Sequence, residues 1–354
     1  MPWYAFLLYP FALLYDLITS VRNYLFNVGW KKSTKSPLPT IIIGNLSVGG
    51  TGKTPMVEYL IRLLTEKYMV GTLSRGYGRK TKGFLRASHT SLPGEIGDEP
   101  FQIYQKYEDQ IAVFVGEDRV AAMRNIIQQN PQPEVMILDD AFQHRAIQGD
   151  LNILLTTYQM PFFKDYLLPA GRLRENRKGA KRADLLVVTK CPMGITSAEK
   201  NGFRSKASFY SKPDCPVIFS SIRYGKVYGL IDKTMDHFSS NIILLSGLAN
   251  DALLVAYVKE NYTVLDILKY PDHHDYSLPD FDRIKNCYSQ FISQKPVILT
   301  TEKDAVKVKS NAPNGFLKEI PIFVLPIEVK IASEDREILE KLIFKKVFQK
   351  DIYK

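Results

Sequence analysis

The segment from Gly44 to Thr54 has the residue types of a phosphate-binding loop: Gly-Asn-Leu-Ser-Val-Gly-Gly-Thr-Gly-Lys-Thr. It follows the apolar run 41–43 and precedes a predicted helix beginning near Thr54, so it lies where a strand turns into a helix. Close backbone N–H groups, a helix N-terminus, the Lys53 ammonium and the Thr54 hydroxyl suit a polyphosphate with its magnesium ion. We predict that nucleotide phosphates contact Ser47, Val48, Gly49, Gly50, Thr51, Gly52, Lys53 and Thr54.

Ser47 departs from the usual loop pattern, which has its first glycine at that position. A glycine-rich turn followed by a chance Lys-Thr pair is the plainer alternative. The strand before the loop and the helix after it favour the phosphate site.

Two adjacent carboxylates, Asp139 and Asp140, follow the apolar run 135–138. This pattern predicts a buried strand whose carboxyl end brings both acids beside the phosphate loop, where open α/β sheets bind ligands. One carboxylate can hold magnesium together with Thr54, and its neighbour can orient a reactant or accept a proton. A solvated strand end has the same pattern, so the prediction depends on the loop.

A concentrated basic segment spans residues 172–182, where Glu175 is the single acid. Guanidinium groups can hold phosphate oxygens in pairs and neutralise transition-state charge. For Arg177, Lys178 and Lys181, attraction to anionic lipid headgroups is an equally good explanation. The basic residues of the segment are Arg172, Arg174, Arg177, Lys178, Lys181 and Arg182.

Apolar runs alternate with helix-like segments downstream of the loop. Predicted strands cover 68–74, 111–116, 134–138, 151–156 and 184–189, and predicted helices begin near Thr54, Glu117 and Thr196. The alternation predicts an α/β fold in which a parallel sheet resembling that of P-loop nucleotide hydrolases carries helices on both faces.

A break near 212–216 precedes a second, smaller α/β set. Its predicted strands and helices cover 242–246, 251–260, 264–268, 280–293, 297–301 and 322–325. We expect four parts: an N-terminal helix at 1–32, a P-loop nucleotide-binding domain at 33–212, a smaller α/β domain with connecting strands at 213–335, and a C-terminal helix at 336–354.

The first 32 residues differ in composition from the rest of the chain. Residues 3–15 are uncharged and rich in aromatic side chains, and Trp30-Lys31-Lys32 ends the segment. Thirteen apolar residues are too few to cross a bilayer, which takes about 20, and no Lys or Arg precedes them as in a secretory signal. An interfacial helix fits this pattern, and so does a helix packed on the protein core.

Bulk composition sets wider limits. The chain has 354 residues, 45% of them hydrophobic and 24% charged, which is typical of a globular protein. A formal charge of +10 predicts an anionic partner without distinguishing nucleotide, nucleic acid or membrane. Three scattered cysteines are too few for a disulfide framework or a zinc site, which favours a reducing compartment.

Eight segments resemble, in the same order, the motif series of the tetraacyldisaccharide 4′-kinase family. The resemblance covers about residues 1–310, and no motif matches after Lys309. In that family Ser or Thr is common at the position of Ser47. The segments are Gly-Asn-Leu-Ser-Val-Gly-Gly-Thr-Gly-Lys-Thr-Pro (44–55), Leu-Ser-Arg-Gly-Tyr-Gly-Arg (73–79), Gly-Asp-Glu-Pro (97–100), Leu-Asp-Asp-Ala-Phe-Gln-His-Arg (138–145), Pro-Ala-Gly-Arg-Leu-Arg-Glu (169–175), Val-Thr-Lys (188–190), Asp-His-His-Asp-Tyr (272–276) and Thr-Thr-Glu-Lys-Asp-Ala-Val-Lys (300–307).

The resemblance implies an activity and a location. The family uses ATP and Mg²⁺ to phosphorylate the 4′-hydroxyl of a tetraacyldisaccharide 1-phosphate, a lipid A disaccharide precursor, which gives lipid IVA. It implies a peripheral enzyme at the cytoplasmic face of the bacterial inner membrane. We expect the N-terminal helix and the basic loop 172–182 to contact the anionic surface, and we expect no nucleic-acid partner.

The resemblance also assigns roles to residues. Asp98 matches the family's candidate base for the sugar hydroxyl, with His273 as its partner. Asp139 and Asp140 match acids near magnesium and belong, with Lys53, to the predicted catalytic group. Arg119 and Arg174 are the predicted nucleotide-phosphate contacts. The predicted metal set is Thr54, Asp139 and Glu175, and which acid binds the ion directly stays open.

Two other classes share some of these features. A GTP-hydrolysing switch or metallochaperone also uses a Gly-Gly-x-Gly-Lys-Thr loop, but the segment 188–192 lacks the aspartate of the guanine-reading Asn-Lys-x-Asp pattern. A non-catalytic nucleotide-binding membrane scaffold would explain the N-terminal segment but not the acids expected beside the loop.

Overall fold

The computed structural model describes residues 4–129, 131–232, 234–272 and 274–348. The side chains of residues 4–6 lie outside this description. The helices, numbered in chain order, are α1 Tyr4–Asn27, α2 Lys53–Thr65, α3 Pro93–Ile96, α4 Asp98–Tyr107, α5 Arg119–Ile126, α6 Ser197–Ser208, α7 Ala252–Asn261, α8 Leu278–Gln290, α9 Glu302–Asn311, α10 Phe316–Glu319 and α11 Ser333–Ile343.

The strands form two larger sheets and one separate two-stranded sheet. They are β1 Thr34–Lys35, β2 Thr40–Asn45, β3 Val70–Ser74, β4 Leu85–Arg86, β5 Ile111–Val115, β6 Val135–Leu138, β7 Ile147–Gln148, β8 Leu151–Thr157, β9 Leu185–Cys191, β10 Val217–Tyr224, β11 Tyr228–Gly229, β12 Asn241–Ser246, β13 Thr263–Lys269, β14 Val297–Thr301, β15 Ile322–Leu325 and β16 Ile327–Ile331.

The larger sheet has the strand order β16-β10-β9-β8-β2-β6-β3-β5-β4. Every neighbouring pair is parallel except those made by the two edge strands, β16 and β4. Helices α2, α4 and α11 pack on one face, and α5 and α6 pack on the other. The central strands are apolar throughout because both faces are covered. The predicted α/β fold with a doubly covered parallel sheet is confirmed.

The smaller sheet has the order β11-β15-β14-β12-β13 and is also largely parallel. Helix α7 covers one face, while α8 and α9 cover the other. The segment predicted as the smaller domain, 213–335, also contains β10 and β16, and both of these strands pair in the larger sheet. The chain therefore leaves the larger sheet after β10 and returns to it at β16.

The end of the described chain packs on the larger sheet. Leu339, Ile343 and Val347 belong to the same buried cluster as Ile41 and Leu60. Within the C-terminal helix predicted at 336–354, the structure has most of α11 and a π-helical turn at Phe344–Phe348, and residues 349–354 lie outside the described residues.

Helix α1 presents an apolar face to solvent. Leu7, Phe11, Leu14, Leu17 and Ile18 are between 56% and 69% exposed. Within the described residues, none of the buried hydrophobic clusters includes a residue of α1. In that same part of the chain, no helix has the length and apolar character needed to cross a membrane.

Candidate active site

The phosphate loop adopts the geometry that its glycines were expected to allow. Gly49 has a φ of 102° and Gly52, which precedes the first residue of α2, has a φ of 81°. Residues that carry a side chain rarely adopt such φ angles, so both positions favour glycine. The Thr51 N–H donates to the Gly49 carbonyl at 2.9 Å, and the Thr189 hydroxyl donates to the Thr51 carbonyl at 2.7 Å. These bonds fix the loop at the N-terminus of a 13-residue helix.

The segment Arg172–Arg174 is bonded to the phosphate loop through the backbone. The Val48 N–H donates to the Arg172 carbonyl at 2.8 Å, and the Arg174 N–H donates to the Leu46 carbonyl at 2.7 Å. This short antiparallel bridge places the start of the basic segment beside the loop. The backbone that carries the Arg174 side chain is therefore held in place by the phosphate loop.

Lys53 and Arg174 converge on Asp140. The Lys53 Nζ lies 3.7 Å from one carboxylate oxygen, and Arg174 Nη1 lies 3.0 and 2.9 Å from the two oxygens. Asp140 has a φ of 47°, in the left-handed region that aspartate tolerates. Two cations that meet at the mouth of a phosphate loop can bind the oxygens of a transferring phosphoryl group.

Asp139 is a buried acid, 3% exposed. Burial, together with the nearby carboxylate of Glu99, raises the pKa of Asp139 to about 7. Among the described residues, its Oδ1 atom has no hydrogen-bond partner. A buried, unsatisfied carboxylate oxygen one strand away from Thr54 fits a magnesium ligand. No group of three or more His, Cys, Asp or Glu that could hold a metal occurs in the described part of the chain.

Arg119, the other predicted phosphate contact, is also 3% exposed. Its Nη1 donates to the Gly116 carbonyl at 2.7 Å and to the Glu117 carbonyl at 3.2 Å. Burial lowers the pKa of Arg119 to about 10, against the opposing effect of Asp139 and Asp140. The guanidinium is thus charged at neutral pH and lies within electrostatic range of both acids.

Glu175 has a different environment from the one expected of a metal ligand. It is 3% exposed, and its two oxygens accept hydrogen bonds from Arg182 at 2.7 and 2.9 Å, from Gln143 at 2.9 Å and from Asn23 at 2.9 Å. A carboxylate with this many donors is already satisfied. The structure places Glu175 in a network that joins α1, the loop after Asp140 and the basic segment.

Asp98 is the first residue of α4. Gly97 before it has a φ of 94°, and a Cβ there would come within 3.0 Å of the Tyr77 carbonyl oxygen. The Asp98 carboxylate forms an ion pair at 3.1 Å with Lys307, a residue of α9 in the smaller unit. Asp98 therefore lies where the two α/β units meet.

The predicted partner of Asp98, His273, lies outside the described residues. Its neighbour His274 bonds through Nε2 to Asp280 at 3.0 Å. Asp280 also accepts from the Ser277 N–H at the start of α8, so His274 belongs to the cap of that helix.

Several charged residues near the site have no role predicted from the sequence. Lys106 on α4 contacts both Glu58 and Glu302 at 2.6 Å, which joins the phosphate-loop helix α2 to α9. Glu302 and Lys307 both lie in the motif 300–307, and this motif was the sequence feature that could have pointed to them. The Lys190 Nζ would lie 3.8 Å from a Cβ on Gly50, and burial lowers the pKa of Lys190.

The parallel sheet, the loop at the end of β2 and the acids at the end of the neighbouring β6 define a P-loop kinase fold. The sequence model of the family described as tetraacyldisaccharide-1-P 4′-kinase matches residues 4–347. The chain belongs to this family.

Relatives with that enzyme name match nearly the whole chain. A tetraacyldisaccharide 4′-kinase of Flavobacterium psychrophilum is 40% identical over 95% of both chains. One of Flavobacterium johnsoniae is 43% identical over 89% of this chain and 91% of its own. LpxK from Aquifex aeolicus, solved in complex with ATP, has a TM-score of 0.74 and 33% identity, and the match covers 97% of this chain and 99% of that one. The GTPase and scaffold alternatives are not favoured.

Proposed function

We propose that the chain is an ATP-dependent kinase that transfers the γ-phosphate of ATP to the 4′-hydroxyl of a tetraacyldisaccharide 1-phosphate, giving lipid IVA. The observation that carries this proposal is the convergence of Lys53 and Arg174 on Asp140 at the phosphate loop. Membership of the kinase family and the likeness to an ATP-bound relative support it.

On the donor side, the loop amides from Gly49 to Gly52 receive the phosphates. Lys53, Arg174 and Arg119 supply the positive charge that the transferring group requires. Thr54 and Asp139 would hold Mg²⁺, because a kinase site supplies only one or two protein ligands and the phosphates supply others. Bound there, the ion supplies charge neutralisation between the outer phosphates.

On the acceptor side, Asp98 takes the proton of the sugar hydroxyl, with His273 as its proposed partner. The hydroxyl oxygen bonds to the γ-phosphorus, the bond to the bridging oxygen of ATP breaks, and ADP leaves. If Asp98 and His273 act as one unit, Asp98→Asn combined with His273→Ala is little slower than the slower single variant. Losses that multiply in the double variant would contradict the pairing.

The direct test is to incubate the full chain and Mg²⁺ with γ-labelled ATP or GTP and tetraacyldisaccharide 1-phosphate in detergent micelles. The proposal predicts label on the 4′-position of the disaccharide, a preference for ATP, and little hydrolysis without the lipid. Equal use of GTP with hydrolysis that ignores the lipid would support a nucleotide hydrolase instead.

The proposed location is the cytoplasmic face of the bacterial inner membrane, where ATP is available. The exposed apolar face of α1 would enter the interface, and the exposed Lys178 and Lys181 would lie near anionic headgroups. A cavity of about 320 Å³ lies between α1 and this basic segment, and Leu13, Tyr166 and Phe209 are among its lining residues. Its mixed apolar and basic lining suits a phosphorylated acyl lipid.

Membrane association can be tested by flotation with phosphatidylglycerol-containing vesicles. Ile18→Asp, at a position 59% exposed on α1, should weaken binding about tenfold because it removes apolar burial from the interface. Ile292→Asp, at a position 61% exposed in the smaller unit, is the matched control and should leave binding unchanged. Equal effects of the two substitutions would argue against α1 as the contact.

A further inference from the structure

Helix α1 turns both apolar and polar side chains toward the protein, and its solvent face is mostly apolar. The half-buried and buried positions 8, 12, 15, 16, 19, 22, 23, 25 and 26 recur at helical spacing and form its inward face. They include Tyr15, Asp16, Thr19, Arg22 and Asn23. Directional hydrogen bonds from these polar residues help to hold the helix on the body of the protein.

Three of these bonds reach three consecutive residues of the active-site segment. The Tyr15 hydroxyl donates to the Arg174 carbonyl at 2.9 Å. Asn23 Nδ2 donates to Glu175 at 2.9 Å, and Asn176 donates to both oxygens of Asp16 at 3.2 Å. Burial raises the pKa of Tyr15 further above neutral pH, where its hydroxyl is already protonated and able to donate.

The opposite side of the same segment is bonded to the phosphate loop, through Arg174 N–H and the Leu46 carbonyl. Residues 174–176 thus lie between α1 and the loop. The Arg174 side chain extends from this segment to Asp140. Loss of the α1 contacts would leave the guanidinium supported from one side only.

We propose that Tyr15 and Asn23 are positioning residues for Arg174, and that seating α1 on an anionic lipid surface raises the rate of phosphoryl transfer by fixing Arg174 at the phosphate site. This proposal deepens the kinase assignment and rests on it. A small displacement of a transition-state cation lowers the rate of transfer more than it lowers substrate binding.

The first test compares Tyr15→Phe with Tyr24→Phe. Both substitutions remove one hydroxyl from the same helix, but Tyr24 is 62% exposed on the outward face. Tyr15→Phe should lower kcat about three- to tenfold, as expected for loss of one hydrogen bond, with KM for the lipid within about twofold. Tyr24→Phe should match the unmodified chain. Equal kcat values for the two variants would overturn the proposal.

A second comparison separates positioning from general loss of structure. In an Arg174→Ala background, Tyr15→Phe should have no further effect on kcat, because its target is gone. A full additional loss there would show that Tyr15 acts elsewhere. Asn23→Ala, checked by thermal melting, provides an independent variant should Tyr15→Phe unfold.

The membrane part is tested with substrate-free vesicles of phosphatidylglycerol and phosphatidylethanolamine and a soluble, short-chain disaccharide acceptor. Vesicles should raise kcat for the unmodified chain and for Tyr24→Phe, and raise it less for Tyr15→Phe. No stimulation of an enzyme that still phosphorylates the acceptor would overturn the coupling and leave the kinase assignment intact. No phosphorylation at all would overturn the assignment itself.

Discussion

The donor and acceptor sides of the site are built in different ways. On the donor side, the phosphate loop, Asp139 and Asp140 follow β2 and β6, which are paired in register within one sheet. On the acceptor side, Asp98 lies on α4 and is held by Lys307 of α9, which belongs to the other α/β unit. One side is set by the backbone of a single sheet, and the other is assembled by side chains across two units.

The difference indicates which part of the site can move. A shift of the smaller unit would separate Lys307 from Asp98 while leaving the loop, Lys53 and Arg174 in place. The contacts of Lys106 with Glu58 and Glu302 cross the same boundary and would change with it. We infer that any closure between the units acts on the acceptor side.

Lys53→Ala should have the largest effect and should damage the donor side as a whole. We expect turnover to fall about a hundredfold or more because charge on the outer phosphates is lost, and ATP affinity to fall with it. Steady-state kinetics and ATP titration measure the two effects. Lys67→Ala, exposed just after the same helix, is the control. Near-normal turnover of Lys53→Ala would remove the P-loop assignment.

Lys307→Met should affect the acceptor side alone. It removes the charge paired with Asp98, so we expect kcat to fall about tenfold while ATP affinity stays the same. Lys309→Met changes an exposed lysine of the same helix and should be neutral. A matching loss of ATP affinity in Lys307→Met would erase the distinction between the two sides.

Substitution of Asp139 should have a smaller effect, and this effect is on stability. Its pKa, raised to about 7 by burial, means that between about pH 4 and pH 7 the folded chain keeps a proton that the unfolded chain releases. Without Mg²⁺, stability should therefore fall as pH rises through this window. Asp139→Asn should remove that dependence and raise Tm at pH 8 by about 2 °C.

Thermal melts at pH 5 and pH 8 measure this effect, with Asp282→Asn at an exposed position as control. Asp139→Asn should also lose its magnesium response in the transfer assay. A lower Tm at pH 8 for Asp139→Asn would show that the carboxylate is stabilised in its charged form.

The two sides also differ in how far the sequence predicts them. The loop and the acids at 139–140 were predictable because each is a local pattern after an apolar strand. The contact of Asp98 with Lys307 was not, because it joins distant segments and has no periodic signal. Strands β10 and β16 were missed for a similar reason: they pair with each other across the intervening smaller unit.

The N-terminal helix was predictable in existence but not in orientation. Its apolar composition allowed either an interfacial helix or one packed on the core. The structure shows polar residues such as Tyr15 and Asn23 turned inward, with apolar residues outward. The helical spacing of those few polar residues was the sequence feature that could have predicted the orientation of the helix.

We infer that ATP binding and acceptor activation belong to separable sides of one kinase site. It is tested most directly by measuring the ATP dissociation constant and single-turnover transfer to the disaccharide for Asp98→Asn beside Lys53→Ala. We expect Asp98→Asn to slow transfer about a hundredfold with ATP affinity within about twofold of the unmodified chain, and Lys53→Ala to lose both. A variant Asp98→Asn that binds ATP as poorly as Lys53→Ala, or transfers phosphate at the normal rate, would contradict it.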